Sequence, residues 1–172
     1  MPEFQQARGQ RSAPETDALS WQLSRRGLRR LSNEQLLLRA TLRSKALAAA
    51  SIATCAAIVR DTPTETQMHD AFGKLDGTDI TAFFSLVAEA IHAELQQQSP
   101  PTVVSEADFP AAFGALLSAV PQDRAERLAA LLSRGPTQTS EEDVCWAERT
   151  FLAGLLSLQE PYRAMLARAV VQ

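Results

Sequence analysis

The sequence predicts an all-α fold: a multi-helix bundle of about seven or eight short helices, opened by a basic N-terminal helical hairpin. Three observations carry the prediction. Apolar residues recur at helical spacing along nearly the whole chain, as in Ile80, Phe83, Phe84, Val87, Ile91 and Leu95. No β-branched or aromatic run alternates with polar residues, and Asp76-Gly77 sits between helical patterns rather than between strands. Helix start signals recur, each a side chain placed to satisfy orphan backbone N–H groups.

Residues 1–13 read as a polar N-terminal tail. A first helix is expected over about 14–30, where Trp21, Leu28 and Leu31 share one side. Gly27 weakens it by about 1 kcal/mol relative to alanine. Ser32 and Gln35 form a capping box that opens a second helix over about 33–60, basic at first and apolar all round from Ala46. Thr62-Pro63-Thr64-Glu65 supplies an N-cap, a first-turn proline and an acid, and opens a third helix to about 74. A fourth runs over about 79–97, before the connector Gln96–Pro101. Asp108 caps a fifth, to about 119. Pro121 opens a sixth, which Gly135-Pro136 closes. Ser140 with Asp143 opens a seventh over about 141–157, and Pro161 opens a short eighth that reaches the C-terminus.

The domain organisation that follows is the tail, a basic hairpin over 14–61 and an acidic bundle over 62–172. Residues 1–60 hold ten Lys/Arg against four Asp/Glu, whereas residues 61–172 hold seven against sixteen. Opposite signs in the two parts point to a charged partner or to docking of one part on the other. Most aromatic residues fall in the acidic part, which places the main core there. The apolar run Ala46–Val59 is shorter than the roughly 20 residues needed to span a bilayer, and reads as a buried helix.

Several chemistries lack their motif. The chain has only two His and two Cys, so no zinc site of usual ligand pattern is expected. Glu89-x-x-His92 has di-iron spacing, but the second Glu-x-x-His is missing and Ser85, Glu89, His92 and Gln96 form one polar stripe. There is no G-x-S-x-G elbow, no S-x-x-K and no glycine-rich phosphate loop. Glu141-Glu142-Asp143 sits in a first helical turn, where the macrodipole favours negative charge. No enzyme activity, cofactor or metal is therefore expected.

Cys55 and Cys145 lie in apolar contexts with no framework of further cysteines, so buried free thiols in a reducing compartment, the cytoplasm, are the expectation. Ser24–Arg30 resembles a twin-arginine export motif, and Ile52–Cys55 loosely resembles a lipoprotein cleavage box. Glu34, Arg39, Arg43 and Lys45 interrupt the apolar stretch that the first would need, and Thr54 stands where the second uses a smaller residue. Neither is read as an export signal.

The basic segment is what remains for function. Arg25, Arg26, Arg29, Arg30, Arg39, Arg43 and Lys45 are seven cations interrupted only by Glu34. Arg25/Arg29, Arg26/Arg30 and Arg39/Arg43 are i, i+4 pairs, each costing a few tenths of a kcal/mol in an isolated helix. An anionic surface would compensate that cost: phosphate, an acidic protein, or the chain's own acidic bundle. The expected function is a non-enzymatic interaction protein, such as an adaptor, assembly factor or regulatory inhibitor, that acts through this charged helical surface. The alternative is a nucleic-acid-binding helical subunit of a larger complex that uses the Arg25–Lys45 patch. Leu155–Arg168 (LLSLQEPYRAMLAR) also resembles the segment leading into the DNA-binding region of sigma factors, over those residues alone; no function is carried across from it.

Overall fold

The computed structural model describes residues 2–101 and 107–171, and within them the chain is helical with no strand. The helices are α1 (Pro2–Arg8), α2 (Ala13–Gly27), α3 (Asn33–Ala49), α4 (Ile52–Val59), α5 (Glu65–Phe72), α6 (Gly77–Leu95), α7 (Asp108–Ala119), α8 (Gln122–Arg134), α9 (Glu141–Ser157) and α10 (Tyr162–Ala169). Two 3-10 turns, Leu28–Arg30 and Pro136–Gln138, join α2 to α3 and α8 to α9.

The all-α expectation holds; the number of helices does not. The segment expected as a polar tail contains α1, which packs on α6. The helix expected over 33–60 is broken at Ala50, whose backbone is extended. Ser51 caps the new start, its Oγ accepting from the Thr54 N–H at 3.1 Å. The carbonyls freed at the end of α3 are taken by a side chain from α9: Arg149 donates Nε to the Leu47 carbonyl at 2.9 Å and Nη2 to the Ala50 carbonyl at 2.7 Å. Unpaired helix-end carbonyls are costly when buried, so this distant arginine is what makes the break tolerable. The start of α5 also shifts: its cap is Thr64, in a capping box with Gln67, and not Thr62.

The basic hairpin is a second correction. α2 lies along α6, and α3 packs on α9 and α10, so the two helices are held by later elements rather than chiefly by each other. The core follows the same logic. Leu31, Leu36, Leu42 and Leu47 from the basic part join Leu86, Leu116, Leu128, Leu152, Leu155 and Leu166 in one cluster. Leucine and alanine dominate it, while Trp21, Phe84, Phe109 and Tyr162 are exposed, so the aromatics do not mark the core. Nor is Ala46–Val59 fully buried, since Ile52 faces solvent.

Two buried features tie distant parts together. Arg168 of α10 is 1% exposed. It donates Nη1 to the Arg29 carbonyl at 3.0 Å, Nη2 to the Leu31 carbonyl at 2.6 Å and both Nε and Nη2 to Asn33 Oδ1 at 2.9 Å. It thereby holds the joint between α2 and α3. The cysteines correct the free-thiol expectation: Cys55 on α4 and Cys145 on α9 form a disulfide, with Cα atoms 5.5 Å apart. Spacing alone could not pair residues separated by 90 positions. Among the described residues no helix is long and apolar enough to cross a membrane.

Candidate functional site

The seven cations separate into two groups once the helices pack. Arg25 pairs with Asp61. Arg30 donates Nε to Glu94 Oε2 at 2.7 Å and a second N–H to the Gln98 carbonyl. Arg43 donates Nε to Glu148 Oε1 at 2.6 Å. Lys45 Nζ donates to both Asp79 oxygens at 2.8 Å, and that carboxylate holds the ammonium above its usual range. Much of the basic patch is thus neutralised by the chain's own acidic helices, one of the three compensating surfaces the charge pattern allowed.

Arg26, Arg29 and Arg39 form the second group. Among the described residues none of their guanidinium groups has a hydrogen-bond or ion-pair partner. Arg26 and Arg29 are exposed, on the last turn of α2 and in the 3-10 turn. Arg39 is partly buried on α3. Its guanidinium pKa is pushed down to about 10 by burial, then by repulsion from Arg43, with Glu148 opposing. At neutral pH the group remains a cation, held where water is scarce.

All three, with Arg25 and Arg43, line one cavity of about 690 Å³. Arg30 and Lys45 lie outside it. Its walls come from α2, α3, α4, α5, α6, α9 and α10 and are mainly apolar, with Leu36, Leu47, Phe72, Phe83, Leu86 and Leu152 prominent. The carboxylates on its lining are Asp61 and Glu148, which Arg25 and Arg43 already engage. Trp21 stands at the same recess and is 47% exposed. Phe72 and Phe83 meet with centroids 4.5 Å apart on its far wall.

The sequence brought the arginines forward but not the carboxylates that pair with four of the seven cations. Glu148 lies 105 positions from Arg43, and no local pattern couples them. Trp21 carried a signal, as an aromatic four residues before Arg25 on one helix.

A second recess of about 760 Å³ is lined by Arg124, Arg127, Trp146 and Arg149. Arg127 stacks over the Trp146 ring at 4.2 Å and donates to Asp143 Oδ1 at 2.6 Å, while Arg149 caps α3, so most of its charge is committed. Glu89 accepts from Gln35, and no group of potential metal ligands gathers among the described residues. No protein-family model, curated protein or solved structure matches the chain.

Proposed function

We propose that the chain is a non-enzymatic interaction protein that binds an acidic protein surface through the exposed face carrying Arg26, Arg29 and Trp21. The observation that carries this reading is the pair of exposed, unpartnered guanidiniums that line the same recess as an exposed tryptophan. Arginine and tryptophan are over-represented where binding energy concentrates, because both offer large, rigid contact area with a directed polar group. A partner carboxylate would satisfy a planar guanidinium with two parallel hydrogen bonds. An adaptor, an assembly factor and a regulatory inhibitor all fit such a surface.

The nucleic-acid alternative has less support, since Arg25, Arg30, Arg43 and Lys45 already hold carboxylates that phosphate would have to displace. The Cys55–Cys145 bond supports an oxidising compartment over the cytoplasm, where such bonds are rare.

The test is quantitative affinity capture with the wild type, Arg26→Glu/Arg29→Glu, and Lys45→Glu as a control already paired within the chain. Partners should be lost with the double reversal and kept with the control. The same partners at the same affinity with all three proteins would sink the proposal. Retention of DNA or RNA at low salt, falling steeply as salt rises, would favour the alternative.

A further inference from the structure

The inside of the cavity poses a question that the exposed face does not. Arg39 is a partly buried cation with no partner, in a space walled largely by leucine and phenylalanine. A buried charge without a counter-ion is costly, and in other proteins such groups are paired or hydrogen-bonded. Both carboxylates on the lining are spoken for: Glu148 accepts from Arg43 at 2.6 Å, and Asp61 is taken by Arg25. Of the three unpaired arginines on the lining, Arg26 and Arg29 are exposed, and Arg39 is the one that is partly buried. Most of the remaining lining is apolar, and the volume of about 690 Å³ falls in the range of pockets that hold small organic ligands.

We propose that this cavity is a binding site for an aliphatic carboxylate, a fatty-acid-like monoanion whose head group meets Arg39 and whose chain lies along the wall formed by Leu36, Leu47, Leu86 and Leu152. Each part of the ligand answers a feature of the site. A single carboxylate gives the partly buried Arg39 the counter-ion that the chain does not supply. A planar carboxylate matches the guanidinium fork, which gives two parallel N–H···O bonds. An alkyl chain replaces water against leucine side chains, which is the favourable direction of transfer. The lowered Arg39 pKa agrees with a charge waiting for an anion. The proposal does not depend on the Arg26–Arg29 face, because Arg39 and not the rim carries it.

The experiment is isothermal titration of the full chain with decanoate, dodecanoate and tetradecanoate, each below its micelle concentration. One molecule should bind per chain, with affinity rising about fourfold per methylene until the space is filled. Dodecanol should bind at least about tenfold more weakly than dodecanoate, because it lacks the charged acceptor. Arg39→Met should lose about tenfold or more for dodecanoate, and Arg39→Lys should lose less, keeping the charge without the fork. Val87→Phe fills part of the cavity from α6 and should penalise tetradecanoate more than decanoate. Arg26→Glu/Arg29→Glu should keep the chain-length dependence even if it abolishes protein partners, so the two readings fail separately. Circular dichroism confirms that each variant is folded. No binding of dodecanoate to the folded wild type, which means a cavity holding water only, would overturn the proposal. So would affinity that ignores Arg39 or chain length. Dodecyl phosphate binding about tenfold tighter than dodecanoate would overturn the carboxylate assignment in favour of a lipid phosphate.

Discussion

Gly27→Ala gives a sharp test of how α2 is held. At an exposed helical site this change gains about 1 kcal/mol, because alanine loses less backbone entropy. At position 27 the added Cβ would stand 1.8 Å from the Ala90 carbonyl oxygen and 2.4 Å from its carbon. Contacts below 3.0 Å do not occur, so α2 and α6 must part by at least the difference, 1.2 Å. Both obstructing atoms are backbone, so no rotamer change relieves them. A gap of about 1 Å forfeits a quarter to a half of the dispersion attraction along the contact, and overpacking costs about 1–3 kcal/mol. With the lost close packing of α2 added and the propensity gain subtracted, we expect a net loss of about 2–4 kcal/mol. For a chain of this size that lowers the melting temperature by roughly 5–15 °C. Guanidinium and thermal unfolding of both proteins measure it. Gly114→Ala is the control, since nothing lies within 4 Å of its added Cβ, and it should stabilise. A Gly27→Ala protein as stable as the wild type, or more so, would refute the close α2–α6 crossing.

Arg39→Met should raise stability. A guanidinium pKa lowered to about 10 corresponds to roughly 3 kcal/mol against the cation in the folded state, reduced by water in the cavity, so a gain of about 1–3 kcal/mol is expected. The folded pKa is depressed, so the cost is full below about 10 and fades as pH rises toward the ordinary guanidinium value; the gain in unfolding free energy should therefore be constant around neutrality. Reduction of Cys55–Cys145, or Cys55→Ala/Cys145→Ala, should cost about 2–5 kcal/mol in guanidinium unfolding, because the bond closes a loop with a separation of 90 residues. Arg168→Ala should cost about 2–5 kcal/mol by the same assay, since it strands the buried Leu31 carbonyl and the partly buried Arg29 carbonyl at the α2–α3 joint. Arg127 first, and Ser140 next, hold the Asp143 carboxyl below its ordinary 3.8, so this contribution is present above 3.8 and is lost as pH falls through the lower folded value. NMR titration should show Arg127→Met returning Asp143 toward 3.8.

What the sequence made legible is what is decided locally. The span of α9 and its Ser140 cap, the close of α8 at Gly135 and the capping box of α3 follow from side chains within three or four positions of the backbone groups they serve. The break at Ala50 was hidden because part of its cause is Arg149, a hundred positions away. The buried face of α6 was not legible for a similar reason. Its apolar stripe includes Phe84, which ends 60% exposed, while Ala90 is fully buried because Gly27 lets α2 come down on it. A small residue does not score in a hydrophobic pattern, yet small residues fix where two helices cross closely.

The charge pattern was legible in kind and not in detail. Composition counts cations; it does not say which carboxylates reach them. Packing α2 and α3 among α5, α6 and α9 delivers Asp61, Asp79, Glu94 and Glu148 to Arg25, Lys45, Arg30 and Arg43. That leaves a residue of three arginines, and the three are not equivalent. Two sit in water, where an unpaired charge costs little. One faces an apolar space, where it costs more. A fold without use for that third charge would gain stability by replacing it with methionine or leucine. The preference of stability for such a replacement is the physical reason to look for a function at Arg39 before looking at the more numerous arginines on the surface.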